Sequence, residues 1–144
     1  MTKVTVKDLV EKFDFEVICG ADYLDREIIT SDISRPGLEI TGYFNYYPSE
    51  RVQLFGRAEH TYLSRMTSDE RLLIMRRLSK EDTPFFIFSR GLQPEYEVIQ
   101  AAEENHIPVL SSTTTTTRLS SNLAEMLHAH LAERISKHGV FVDV

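Results

Sequence analysis

The chain has 144 residues, 42% of them hydrophobic and 26% charged, which is enough for one soluble domain with a real core and too little for two ordinary ones. Its net charge of −6 argues against nonspecific nucleic-acid binding, which needs a basic face to neutralise phosphates. The single Cys19 excludes an internal disulfide, no apolar run approaches the ~20 residues that span a bilayer, and Met1–Asp8 lacks a signal peptide's apolar core; a cytoplasmic protein without membrane or nucleic-acid partners is expected.

In chain order, Thr5 caps a short amphipathic helix from about Val6 to Lys12, with Val6, Leu9, Val10 and Phe13 on one stripe. Glu16–Cys19 before Gly20, and Glu27–Thr30, read as short strands separated by an acidic turn. The stretch from Ser31 to Leu54 has no clean period of 2 or 3.6, yet holds a Pro-Gly pair, a second glycine and four aromatics. It reads as an ordered loop folded against the body. Tyr43 and Phe44 are expected to pack inward and Arg35 to make a charge-assisted hydrogen bond to a carboxylate or a backbone carbonyl; Gly37 can take backbone angles closed to other residues, and a positive φ there would make Gly37→Val destabilising.

Val52–Phe55 is a third strand, and Ala58–Met66 is modestly helical. Ser68 opens a stronger helix with the stripe Leu72, Leu73, Met75 and Leu78, while Arg71, Arg76, Arg77 and Lys80 read as its solvated face. Thr83–Ser89 is an unbroken apolar run of the kind buried on both faces of a sheet, so Phe85, Phe86, Ile87 and Phe88 belong to the core. Pro94 starts a helix that ends near Asn105, and Ile107–Ser111 is the next strand, parallel to the preceding one. Thr113–Thr117 reads as a polar loop ending in a helix cap. A long helix follows along Leu119, Leu123, Met126, Leu127, His130, Leu131 and Ile135, with Gly139 at its end. Val140–Val144 begins a further apolar strand, which implies a longer protein. The fold class is α/β, a small mixed sheet flanked by helices.

Chemistry is sparse. None of the six glycines is followed by lysine, so the chain has no Walker phosphate loop. His128 and His130, two apart on a helix, point in different directions and cannot chelate one metal. His138 alone stands out, and by itself a histidine in a last helical turn is a favourable partner for the helix dipole.

The segment Asp32-Ile33-Ser34-Arg35-Pro36-Gly37-Leu38-Glu39, followed by Gly42-Tyr43-Phe44 and Tyr47, closely resembles the amino-terminal domain of the bacterial HPr kinase/phosphorylases. Thr83-Pro84, Ser89-Arg90, Thr116–Ser121 and His138–Val144 agree in order and spacing, so the resemblance covers essentially the whole chain. It implies a domain over residues 1–132, similar in fold to the first domain of MurF-type ligases. Residues 133–144 would then be a linker and the first strand of a phosphate-loop kinase domain. It implies that the full protein phosphorylates a serine of the phosphocarrier HPr with ATP and magnesium, reverses this by phosphorolysis in carbon catabolite regulation, and assembles as a hexamer. His138 matches a histidine counted in that active site; the other active-site residues lie beyond Val144, so the chain alone is expected to be inactive and to hold no cofactor. For the domain itself two further readings stand: a regulatory or assembly module using the loop Ser34–Phe44, and a metabolite-sensing domain near Arg35 or Arg90.

Overall fold

A computed structural model describes the backbone of residues 3–139 and the side chains of residues 3–131. Helix α1 (Val6–Phe13) opens with a reciprocal cap: the Thr5 hydroxyl accepts from Asp8 N at 3.3 Å, and the Asp8 carboxylate accepts from Thr5 N at 2.9 Å. Left-handed Asp14 ends it, and strand β1 (Glu16–Cys19) follows. The chain continues through β2 (Ile33–Ser34), the one-turn α2 (Gly37–Ile40), β3 (Val52–Phe55), α3 (Arg57–Ser64) and α4 (Ser68–Leu78). It ends with β4 (Phe86–Phe88), α5 (Tyr96–Glu104), β5 (Val109–Ser111) and α6 (Thr116–Gly139).

The five strands lie in the order β1-β5-β4-β3-β2, parallel except for β1, which runs antiparallel to β5. This is the expected mixed sheet. Alternation along each strand splits the core in two. Val52, Leu54, Phe85, Ile87 and Leu110 face α1 and α6 on one side. Phe55, Phe86, Phe88 and Val109 face α3, α4 and α5 on the other. Phe85, Phe86, Ile87 and Phe88 are all fully buried, as an apolar run with a helical layer on each face requires.

Several expectations need correction. Glu27–Thr30 forms no strand; only an isolated bridge joins Glu27 to Thr5. Ile28 N donates to Val4 O and Val6 N to Arg26 O, so this segment spends its backbone groups on the chain before α1 rather than on the sheet. The edge strand is Ile33–Ser34, inside the stretch read as a loop, and that stretch also winds the turn of α2. Gly37 does not take a positive φ; Gly42 does, at 107°.

Helix α4 is capped by Thr67 rather than Ser68. Thr67 puts Glu70 at the position that can bond back to the cap nitrogen (2.9 Å), whereas Ser68 would put Arg71 there. Its buried stripe is Arg71, Ile74, Met75 and Leu78, and Leu73 is 61% exposed. Arg71 is therefore not part of a solvated face: it pairs with Glu97 at 2.8 Å and caps the carbonyls of Leu63 and Met66. Arg76 and Arg77 are exposed as expected, Arg76 paired with Glu104. Helix α5 begins at Tyr96 with Glu95 as cap, two residues after Pro94. On α6, Leu119, Leu123, Leu127 and Leu131 are buried at four-residue steps, while His130 is exposed and bonds Met126 O. The expected strand Val140–Val144 lies outside the described residues.

Candidate functional site

The carboxyl ends of β2, β3 and β4 deliver Arg35, Gly56 and Ser89 to one end of the sheet, where α6 also starts. Glu59, in the first turn of α3, organises this cluster. It is nearly buried, and its carboxylate takes three bonds: Gly56 N at 2.8 Å, Arg35 Nε at 3.1 Å and Arg35 Nη2 at 2.9 Å. The first satisfies an orphan amide at the start of α3, and the other two form the parallel fork for which a guanidinium is shaped. The expected charge-assisted bond of Arg35 is thus present, and it clasps the start of α2 onto α3. The Arg35 side chain is 46% exposed, which leaves its remaining donors toward solvent.

Gly56 is required by space, not by backbone angle. Its φ of −100° suits any residue, but a Cβ there would lie 2.9 Å from Arg35 Nη2, 2.9 Å from Thr116 Oγ1 and 3.0 Å from Thr116 Cγ2. Thr116 in turn shares a buried 2.6 Å hydroxyl bond with Ser89, which ties the start of α6 to the end of β4. Sequence reasoning missed Gly56, Glu59, Ser89 and Thr116 as a unit. The Gly56-to-Glu59 spacing of a capping box was the one local signal.

Arg90 stands apart from this clasp. It has a left-handed φ of 60°, its N donates to Thr114 O at 2.8 Å, and its side chain is exposed. The threonine run forms the expected loop into a helix start: Thr114 N donates to Ser112 Oγ, and Leu119 N to Thr115 O. Among the described residues no three His, Cys, Asp or Glu side chains converge on a metal position, and His128 and His130 are exposed on α6. The backbone of α6 carries His138 in its final turn, but that side chain lies outside the described residues. Cys19 is half-buried, and burial pushes its thiol up to about 11, which keeps it a thiol at neutral pH.

The aromatic loop is divided. Tyr47 donates to Leu78 O at 2.6 Å, and Phe44 lies under the Arg77 guanidinium, 4.0 Å from its ring centroid. Tyr43, expected to pack inward, is instead exposed, as is Tyr46, with their rings 6.3 Å apart. Gly42 turns the chain between α2 and these aromatics, so only Phe44 and Tyr47 reach α4, and Tyr43 and Tyr46 are left on the surface with Leu38.

The chain as a whole is similar to known proteins. The chain matches the family described as "HPr Serine kinase N terminus" over residues 4–127. It is 58% identical over 142 residues to an HPr kinase/phosphorylase of Lacticaseibacillus casei, covering 98% of this chain and 44% of the relative. Proteins of the same name from Enterococcus faecalis and a Geobacillus strain are 53% and 47% identical, covering all of this chain and 47% and 46% of theirs. The chain spans a little under half the length of the curated relatives it matches. With the family matched from the first core residue, Val4, to Leu127 of α6, this chain belongs to the HPr Serine kinase N terminus family.

Proposed function

We propose that this chain is the amino-terminal domain of a bifunctional enzyme that phosphorylates a serine of the phosphocarrier HPr with ATP and removes the phosphate by phosphorolysis, in carbon catabolite regulation. The observation that carries this reading is the near-complete match to proteins named HPr kinase/phosphorylase. The division follows it: residues 1–132 form the domain, and residues 133–144 lead into a phosphate-loop kinase domain. The residues present do not suit a nucleotide or magnesium, since no glycine precedes a lysine and no carboxylate cluster converges among the described residues. Both belong with the remainder of the protein, and this chain alone binds no ATP. The full enzyme is cytoplasmic and hexameric.

Within that enzyme the domain acts in assembly or regulation. The exposed Leu38, Tyr43 and Tyr46 favour this, because an aromatic surface beside a clasped, rigid turn is a preorganised contact. His138 is the residue of this chain assigned to the active site, where a protonated imidazole would stabilise charge developing on a transferring phosphoryl group and a neutral one would orient a group by hydrogen bonding. The test is the full-length enzyme with HPr, ATP and magnesium, read by phosphoserine formation and by its phosphate-dependent loss. His138→Ala lowers turnover in both directions with the melting temperature unchanged. Unchanged turnover in both directions removes His138 from the active site, and a wild-type protein that leaves HPr unmodified removes the reading itself.

A further inference from the structure

A second place in the fold has the geometry of a ligand site and lies apart from the Arg35–Glu59 clasp. Strands β4 and β5 are adjacent and parallel, but their connections leave in opposite directions. From β4 the chain runs to α5, which packs with Phe86 and Phe88; from β5 it runs to α6, which packs with Phe85, Ile87 and Leu110. Two neighbouring connections that part to opposite faces open a crevice beyond the strand ends, the position where open α/β sheets bind ligands. Here the crevice measures about 410 Å³, within the usual range for small-molecule sites.

Three segments wall it. Gly91 and Gln93 come from the β4–α5 connection, and Ser111 to Thr114 from the end of β5. The third wall is the α1–β1 turn: because β1 is antiparallel to β5, Glu16 sits across from Ser111 and brings Phe13 and Asp14 with it. The shape is held by backbone. Arg90 N and Gly91 N, both left-handed, donate to Thr114 O and Ser112 O, stitching the first two walls together.

The lining selects its ligand. Asp14 and Glu16 supply two carboxylates that enter no ion pair among the described residues, and no Lys, Arg or His lines the crevice. An anion is therefore repelled. Three hydroxyls and one primary amide add groups that both donate and accept, while the buried Ser111 Oγ donates to Leu92 O; Ser112 Oγ, which accepts from Thr114 N, keeps its proton to donate. Phe13, stacked on Phe15 with ring centroids 5.4 Å apart, offers the one aromatic ring of the lining. Carboxylates bind hydroxyl groups by charge-assisted O–H···O⁻ bonds, and a ring face suits the C–H face of a cyclic polyol. We propose that the crevice between the ends of β4 and β5, closed by Asp14 and Glu16, binds a small uncharged polyhydroxyl molecule of monosaccharide size.

This inference does not depend on the proposed kinase activity, and its test reads binding to this chain alone. Amide chemical shifts of the labelled protein are followed while D-glucose or myo-inositol is added, with glucose 6-phosphate and putrescine as charged comparators. Saturable shifts centred on Gly91, Gln93 and Ser112–Thr114 are expected from a neutral probe. Asp14→Asn with Glu16→Gln keeps size and, at Asp14, tolerance of the left-handed turn; it should weaken that probe about tenfold while the spectrum of the free protein stays folded. Three outcomes overturn the proposal: no saturable shift with either neutral probe, tighter binding of the phosphate or the diamine than of the neutral probes, or equal affinity in the double variant.

Discussion

Gly56→Ala is the sharpest probe of how the carboxyl end of the sheet is assembled. Backbone strain does not enter, because φ −100° and ψ −165° are open to alanine. The added methyl meets Thr116 Oγ1 and Cγ2 at 2.9 and 3.0 Å and Arg35 Nη2 at 2.9 Å. Arg35 is half-exposed and can swing away, though doing so releases one arm of its bond to Glu59. Thr116 cannot move as cheaply, since it is buried and held by Ser89 at 2.6 Å. Overpacking of this kind costs about 1–3 kcal/mol, and alanine at a helix cap adds a few tenths more. For a domain of this size that lowers the melting temperature by about 4–10 °C. Urea unfolding of the single variants and of the pair Gly56→Ala, Thr116→Ala isolates the contact. Thr116→Ala alone leaves Ser89 with only a long bond to Phe55 O and costs about 1–3 kcal/mol. Since it also removes two of the three atoms the new methyl strikes and leaves only the mobile Arg35 Nη2, Gly56→Ala should cost at least ~1 kcal/mol less in that background. A Gly56→Ala cost below ~0.5 kcal/mol, or strict additivity in the pair, refutes the close-approach argument.

The other predictions concern separate elements. Phe88→Ala, fully buried and stacked on Phe55 with ring centroids 4.8 Å apart, should cost about 3–5 kcal/mol in urea unfolding. Gly42→Ala should cost about 1–2 kcal/mol from its φ of 107° alone, since no atom lies within 4 Å of its would-be Cβ, whereas Gly37→Ala should be nearly neutral. Arg71 and Ser68 hold the Glu97 carboxyl down at about 2 against an ordinary 4.5. The lowered folded-state value means this stabilisation is fully present above pH 4.5 and is lost as pH falls toward 2. Glu97→Gln should therefore flatten the acid limb of a melting-temperature profile in that window; an unchanged limb refutes the assignment.

Most of the architecture was legible because it rests on local rules. The apolar run Phe85–Phe88 could be buried only inside a two-faced sheet, and the four-residue spacing of Leu119, Leu123, Leu127 and Leu131 fixed which side of α6 faces it. The reciprocal cap at Thr5 and Asp8 is a four-residue pattern and needed no tertiary context. The resemblance carried by Asp32–Phe44 likewise identified the family that the matched relatives show.

Tertiary structure decided what depends on partners distant in sequence. Glu27–Thr30 has the composition of a strand, but its backbone was claimed by residues 4–6, and the sheet edge went to Ile33–Ser34 beside Val52 and Gln53. Arg71 reads as a surface charge on its own helix; burial became favourable only where Glu97 of another helix and two carbonyls satisfy it. The need for glycine at position 56 comes from Thr116, sixty residues later, and a clash between side chains has no periodicity to read. The crevice between β4 and β5 exists because α5 and α6 cover opposite faces, a choice made by where whole apolar stripes are buried rather than by any residue that lines it.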